Sequence, residues 1–214
     1  MASSPSLLVG PKLAPFTPSG DGVLTHALDL LALSPSDVLF DLGCGDARML
    51  VHAAEQTGAR GVGVEYNGDL VKRAQARIEV KWRESGVMDL VDIRHGDALE
   101  VDLTTATAMF LYLVPRGIQL LLPKYDGLVR SRDILVDFDA AAVGMNRLEE
   151  ARRLDVRFVT YMFSIPGWKP TDERTYKGTK VRLFDSLSTY LPLSCSSHCS
   201  SKCVHHRDER EKSD

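Results

Sequence analysis

Apolar and polar positions along this chain switch between two periods, and the switches outline its elements. Leu24, Leu28 and Leu31 fall on one side of a helix predicted over Val23–Leu33. A short apolar run, Val38-Leu39-Phe40, ends in the acid Asp41 and turns through Gly43 and Gly45 into a helix over Ala47–Gln56. Gly61-Val62-Gly63-Val64 reads as a buried strand ending in Glu65. Leu70, Ala74 and Ile78 form the inward stripe of a helix over Asp69–Arg83. Val91–His95 alternates as a third strand, Thr107–Val114 is a buried fourth, and Ile134–Phe138 a fifth. Val156–Phe163 and Val181–Phe184 are expected to close the sheet as a hairpin, with Pro166, Gly167 and Pro170 in the loop between them. Strands alternating with helices predict an α/β, doubly wound sheet, mostly parallel, with one antiparallel strand near the C-terminal end.

The chemistry concentrates at the first strand's end. Gly43 and Gly45 lack a Cβ, so a ligand can approach the main chain there and the turn can take unusual φ values. In open α/β sheets this edge is where nucleotide-like ligands bind. The dinucleotide pattern wants a third glycine where Arg48 stands, and no lysine followed by Ser or Thr completes a phosphate-binding loop. Two further acids close successive strands. Glu65 lies about 20 residues past the turn, where an acid can accept hydrogen bonds from both hydroxyls of a ribose. At such a strand end its replacement by alanine is expected to leave the fold intact. Asp97 follows the third strand in Gly96-Asp97-Ala98.

Asp41-Leu42-Gly43-Cys44-Gly45-Asp46-Ala47-Arg48 resembles the first motif of the class I S-adenosylmethionine-dependent methyltransferases. The resemblance implies a Rossmann-like sheet of seven strands and S-adenosylmethionine as the cofactor, bound by Asp41, Gly43, Gly45, Asp46, Glu65 and Asp97. The glycine turn would hold the methionine end, a zwitterion that asks for backbone N–H groups and an acid. Glu65 would take the ribose and Asp97 the adenine amino group. Cys44 would be a small residue in the cofactor turn.

Pro15-Phe16-Thr17-Pro18, Leu113-Val114-Pro115 and Phe163–Pro170 are similar to segments of a narrower group, the small protein-lysine methyltransferases related to those of the ATP synthase c-subunit and the adenine nucleotide translocase. That resemblance implies a protein lysine as acceptor, with Phe16, Tyr112, Pro115 and Trp168 on the substrate side; the three rings fit ordinary packing equally well. Eukaryotic members carry an N-terminal membrane-anchoring stretch that is absent here, a departure that argues against a mitochondrial membrane substrate. No Asn/Asp-Pro-Pro-aromatic motif follows the fourth strand and no Pro-Cys nucleophile is present, which disfavours methylation of DNA bases. A small-molecule methyltransferase and a non-catalytic cofactor-binding module are the alternatives.

Composition adds boundaries. At 214 residues the chain suits one domain, and its net charge of −3 gives no general pull toward nucleic acid. A Ser- and Pro-rich leader is expected over 1–19, the methyltransferase domain over 20–187, and a low-complexity tail over 188–214. The tail's Cys195, Cys199 and Cys203 lack the paired spacing of a structural zinc site, so no metal is expected. Arg147, Arg152, Arg153 and Arg157 read as a solvated helix face. No run is long enough to span a membrane, and the expected compartment is the cytoplasm, with the mitochondrion as the alternative.

Overall fold

The computed structural model describes residues 15–85, 87–136 and 156–185. Seven strands form one sheet: β1 (Val38–Leu42), β2 (Arg60–Glu65), β3 (Val91–His95), β4 (Ala108–Leu111), β5 (Arg157–Tyr161), β6 (Asp172–Tyr176) and β7 (Thr179–Phe184). Their spatial order is β3-β2-β1-β4-β5-β7-β6. The pairs from β3 to β5 are parallel, and β7 runs antiparallel to both β5 and β6. A single strand is therefore reversed. The order changes direction between β1 and β4, which opens a crevice at the carboxyl ends of the strands.

Among the described residues four α-helices flank the sheet: α1 (Asp21–Leu31), α2 (Arg48–Thr57), α3 (Gly68–Ser85) and α4 (Pro115–Val136). Neighbouring strand residues feed opposite cores, as expected for a sheet buried on both faces. Leu39, Phe110 and Val159 pack with α1 and α2. Phe40, Met109 and Phe158 pack with Ile118, Leu121 and Tyr125 of α4. Gly63 lets α2 come close, because a Cβ there would lie 2.7 Å from both Cys44 Sγ and Ile93 Cδ1 and 2.8 Å from Leu50 Cδ1.

Three expectations are corrected. Ile134–Val136, read as the fifth strand, ends the 22-residue helix α4; three consecutive apolar residues fit a helix turn as well as a strand. Residues 137 and 138 lie outside the described residues. The fifth strand is Arg157–Tyr161, already assigned to the hairpin, and it does pair with β7, with Phe158 opposite Phe184. Strand β6 was not anticipated: Asp-Glu-Arg-Thr-Tyr has no apolar alternation, because an edge strand here is largely exposed. Arg157 is no solvated helix residue either. It opens β5, and its guanidinium donates to Asp37 and to the carbonyls of Leu31 and Ala32. The other three arginines of that cluster, the tail over 188–214 and residues 1–14 of the leader lie outside the described residues.

Candidate active site at the carboxyl edge of the sheet

The turn after β1 is shaped by backbone geometry. Gly43 (φ 87°) and Gly45 (φ 58°) both occupy the left-handed region, which a side chain resists. The Gly43 and Cys44 N–H groups donate to the Val64 carbonyl at 2.7 and 3.2 Å, which welds the turn to the end of β2. Ala47 also sits left-handed (φ 60°) before α2 begins at Arg48. The result is a cleft of about 350 Å³ lined by the glycine turn, Glu65–Asn67, Gly96–Ala98, Tyr112, Leu113 and the segment Pro15–Ser19.

Carboxylates dominate this cleft. Among the described residues Asp41, Asp46, Glu65 and Asp97 all line it, against a single guanidinium, that of Arg48. Asp41 is buried, and burial together with the nearby Glu65 and Asp46 carboxylates pushes its pKa up to about 8. Glu65 is 8% exposed. Its Oε2 accepts the Gly45 N–H at 3.0 Å and its Oε1 the Asn67 N–H at 2.7 Å. Besides facing the cleft, this acid therefore fastens the glycine turn to β2. Asp46 is spoken for as well. Its Oδ1 accepts from Arg48 Nε at 2.9 Å, and its Oδ2 from an Nη of Arg48 and of Arg77, each at 2.7 Å. Burial alone would raise Asp46; the two guanidiniums outweigh it and hold the acid below the ordinary carboxylate range. Asp97 Oδ1 caps the Leu99 N–H at 2.9 Å from the cleft's far wall. Burial, then Asp41 and Glu65, push the Cys44 thiol up, so it stays protonated.

On the substrate side the structure divides the four expected residues. Phe16 and Tyr112 line the cleft. Phe16 lies on Gly45, where a Cβ would come within 2.6 Å of its ring. Tyr112 meets Tyr161 edge-on, with ring centroids 4.8 Å apart. Pro115 and Trp168 lie outside the cleft lining. Pro115 is the exposed first residue of α4, a position that suits its fixed φ and missing N–H. Trp168 packs edge-on against Phe158 and Phe184 at 5.1 and 6.4 Å, so burial of its ring in the α4-side core explains its place in the late loop. Sequence reasoning missed Arg77 and Asn67, and it named Leu113 only within the segment Leu113-Val114-Pro115. Arg77 lies 31 residues from the acid it grips, a distance over which no local pattern speaks.

A glycine-lined crevice at the point where the strand order reverses, ringed by acids, defines a binder of a nucleoside-type ligand with a cationic end. Comparison with known proteins agrees. The family model described as the ANTKMT methyltransferase domain matches residues 41–141. A crystal structure of an RNA methyltransferase from Salinibacter ruber, in complex with S-adenosyl-L-homocysteine, is 32% identical with a TM-score of 0.61, over 79% of this chain and 93% of that one. A protein-lysine N-methyltransferase of Saccharolobus islandicus is 29% identical over 159 residues, 74% of this chain and 82% of that protein. The H3 lysine-79 specific histone-lysine N-methyltransferase of Dictyostelium discoideum is 36% identical over 162 residues, 72% of this chain but 8% of that protein. The chain belongs to the class I S-adenosylmethionine-dependent methyltransferases, and S-adenosylmethionine is its cofactor. Among the described residues no group of His, Cys, Asp or Glu is placed to hold a metal ion, and no helix is long and apolar enough to cross a membrane.

Proposed function

We propose that this enzyme methylates a lysine amine of a protein, with the cofactor seated on the glycine turn. The residues present fit that cofactor. Asp41 is a buried acid whose charged neighbours are two more acids, so a ligand's ammonium supplies the cation this corner lacks. Gly43 and Gly45 leave main chain bare beside it. Glu65 keeps acceptor capacity on both oxygens for ribose hydroxyls, since each carboxylate oxygen has a second lone pair. Asp97 stands on the adenine side, and Asp46 acts by holding the turn.

When bound, the cofactor supplies a methyl group on a sulfonium, ready for in-line displacement. The chain's own task is alignment and exclusion of water. Phe16, Tyr112 and Leu113 give the cleft an apolar, aromatic wall. Such a wall disfavours an ammonium and so favours the neutral, nucleophilic amine of lysine. It also lies flat against an alkyl chain.

The observation that carries the acceptor assignment is the apolar, aromatic wall of Phe16, Tyr112 and Leu113, with Arg48, the one cation among the described lining residues, engaged by Asp46. Such a wall suits a neutral alkyl amine and offers a phosphate backbone no unengaged cation. The protein-lysine activity of the Saccharolobus and Dictyostelium relatives supports the same reading. The Salinibacter relative favours RNA as the second reading, and one experiment separates the two. Radiolabelled S-adenosylmethionine is incubated with the enzyme and a cell lysate. Label should enter protein, resist nuclease and appear as methyl-lysine after hydrolysis. Label released by ribonuclease, or extracted into organic solvent, would overturn the lysine assignment.

A further inference from the structure

Arg48 occupies the place where a dinucleotide-binding turn would carry glycine, and all three of its guanidinium nitrogens are in use. Nε and one Nη grip both oxygens of Asp46 at 2.9 and 2.7 Å. The other Nη donates to the Ser19 carbonyl at 3.0 Å, just before Gly20 caps α1. Asp46 is held from its other side by Arg77, which also donates from Nε to the Asp46 carbonyl at 2.9 Å. One guanidinium thus joins the cofactor turn to a segment 29 residues earlier.

That segment, Pro15–Ser19, lies along the cleft and carries Phe16. The Phe16 ring is 41% exposed, so it is no core anchor. Its seat is Gly45, the residue whose N–H is held by Glu65. Ring contact over a glycine is weak by itself, and five residues of open loop carry a large entropic cost of ordering. The Arg48–Ser19 bond offsets part of that cost at the segment's inner end. A planar, forked donor suits the task, because it can hold an acid with one edge and a carbonyl with the remaining nitrogen.

We propose that Arg48 is a positioning residue that ties Pro15–Ser19 down as a strap over the cofactor turn, so that strap closure and cofactor binding are one coupled event. The proposal rests on the assignment of the glycine turn to the cofactor. It differs from a purely structural role in one respect: Arg48 acts on the cofactor through Phe16.

The test is a double-mutant cycle read by calorimetry with S-adenosylhomocysteine, on wild type, Arg48→Lys, Phe16→Ala and the double variant. Lysine keeps a positive charge beside Asp46 and gives up the fork. Each single variant should bind about tenfold more weakly, and the double variant no more weakly than the poorer single. Losses that multiply in the double variant, or singles that bind as wild type does, would overturn the proposal. Chymotrypsin cleavage after Phe16, mapped by mass spectrometry, supplies a readout without ligand. Cleavage should be faster in Arg48→Lys than in wild type, and an equal rate would overturn the tether. A wild-type protein that ignores S-adenosylhomocysteine while its strap is still freed by Arg48→Lys would instead count against the cofactor assignment.

Discussion

The carboxylate of Glu65 lies 3.0 Å from the amide nitrogen of Gly45, so the acid at the end of β2 holds the turn at the end of β1. Its other oxygen holds Asn67, which starts the turn into α3. Glu65→Ala therefore removes two charge-assisted bonds within the protein besides any contact to the ribose. Stability should fall by about 1–3 kcal/mol and affinity for S-adenosylhomocysteine by at least about tenfold. Glu55→Ala is the control, since Glu55 lies on α2 outside the cleft lining and forms an ion pair with a partly exposed Lys81 at 3.4 Å; it should change both by little. Melting curves and calorimetry on the two variants check this. Equal affinities would remove Glu65 from the binding site.

Asp41 is expected to make cofactor binding a proton-linked event. Its pKa of about 8 lies far above that of a free aspartate, so the free folded protein keeps a proton there that the unfolded chain has already lost. Between about pH 4 and pH 8 the folded state binds more protons, and the contribution of this group to stability declines as pH rises. A ligand ammonium favours the ionised acid. Binding of S-adenosylhomocysteine at pH 6–7 should release a proton, seen as heats that depend on the buffer's ionisation enthalpy, and affinity should rise toward pH 8. Asp41→Asn should abolish the proton release, weaken binding and flatten the decline in apo stability. Buffer-independent heats in the wild type would show that Asp41 does not meet the cation.

The central sheet and the glycine turn were legible because local signals there agree with the global fold. Buried parallel strands are short apolar runs, and Asp41, Glu65 and Asp97 stand at their ends because the cleft does. What could not be read was of two kinds. Strand β6 carries Asp172, Glu173 and Arg174 because an edge strand is exposed, so its apolar periodicity is missing. Ile134–Val136 carried a strand-like signal without being a strand.

The site was legible in position and less so in role. Glu65 and Asp46 looked like free ligand groups, since a sequence shows where an acid stands but not which amide or guanidinium faces it. The Asp46–Arg77 pair depends on how α3 docks beside the turn, a tertiary fact. Trp168 lies in a Pro- and Gly-rich loop, the usual place for a functional aromatic, yet its ring completes the core around Phe158.

Tyr112 and Trp168 should consequently separate in experiment. Trp168→Ala removes a half-buried ring packed on Phe158 and Phe184 and should cost about 2–4 kcal/mol of stability. Below its lowered melting temperature it should still bind S-adenosylhomocysteine as wild type does. Tyr112→Ala should melt closer to wild type and lose most label transfer to lysate protein, with Tyr112→Phe retaining more because the ring is kept. A Trp168→Ala protein that melts normally but transfers no methyl would restore Trp168 to the substrate side.

The opposite edge of the sheet offers a site whose loss touches stability alone. Asp37, just before β1, accepts from the Ser34 N–H, the Ser34 hydroxyl and the Thr107 hydroxyl, each at 2.8 Å, and from Arg157 at the start of β5. Thr107 Oγ1 in turn accepts the Val38 N–H at 2.9 Å. One carboxylate thereby sets the relative height of β1, β4 and β5. Burial would raise its pKa, and these donors with Arg157 outweigh burial and hold it below the ordinary range. The sign follows: the folded state keeps Asp37 ionised where the unfolded chain begins to take up a proton. Its stabilisation is complete above about pH 4 and is lost as pH falls toward the lower folded value. Asp37→Ala should cost about 2–4 kcal/mol at neutral pH, because Arg157 and Thr107 lose their acceptor in a half-buried setting. The deficit relative to wild type should shrink below pH 4. Affinity for S-adenosylhomocysteine, measured well below the melting temperature, should not move, since the cleft lies at the far end of the strands. Melting curves from pH 2.5 to 8 decide the matter, and a deficit independent of pH would show that Asp37 acts through packing rather than charge.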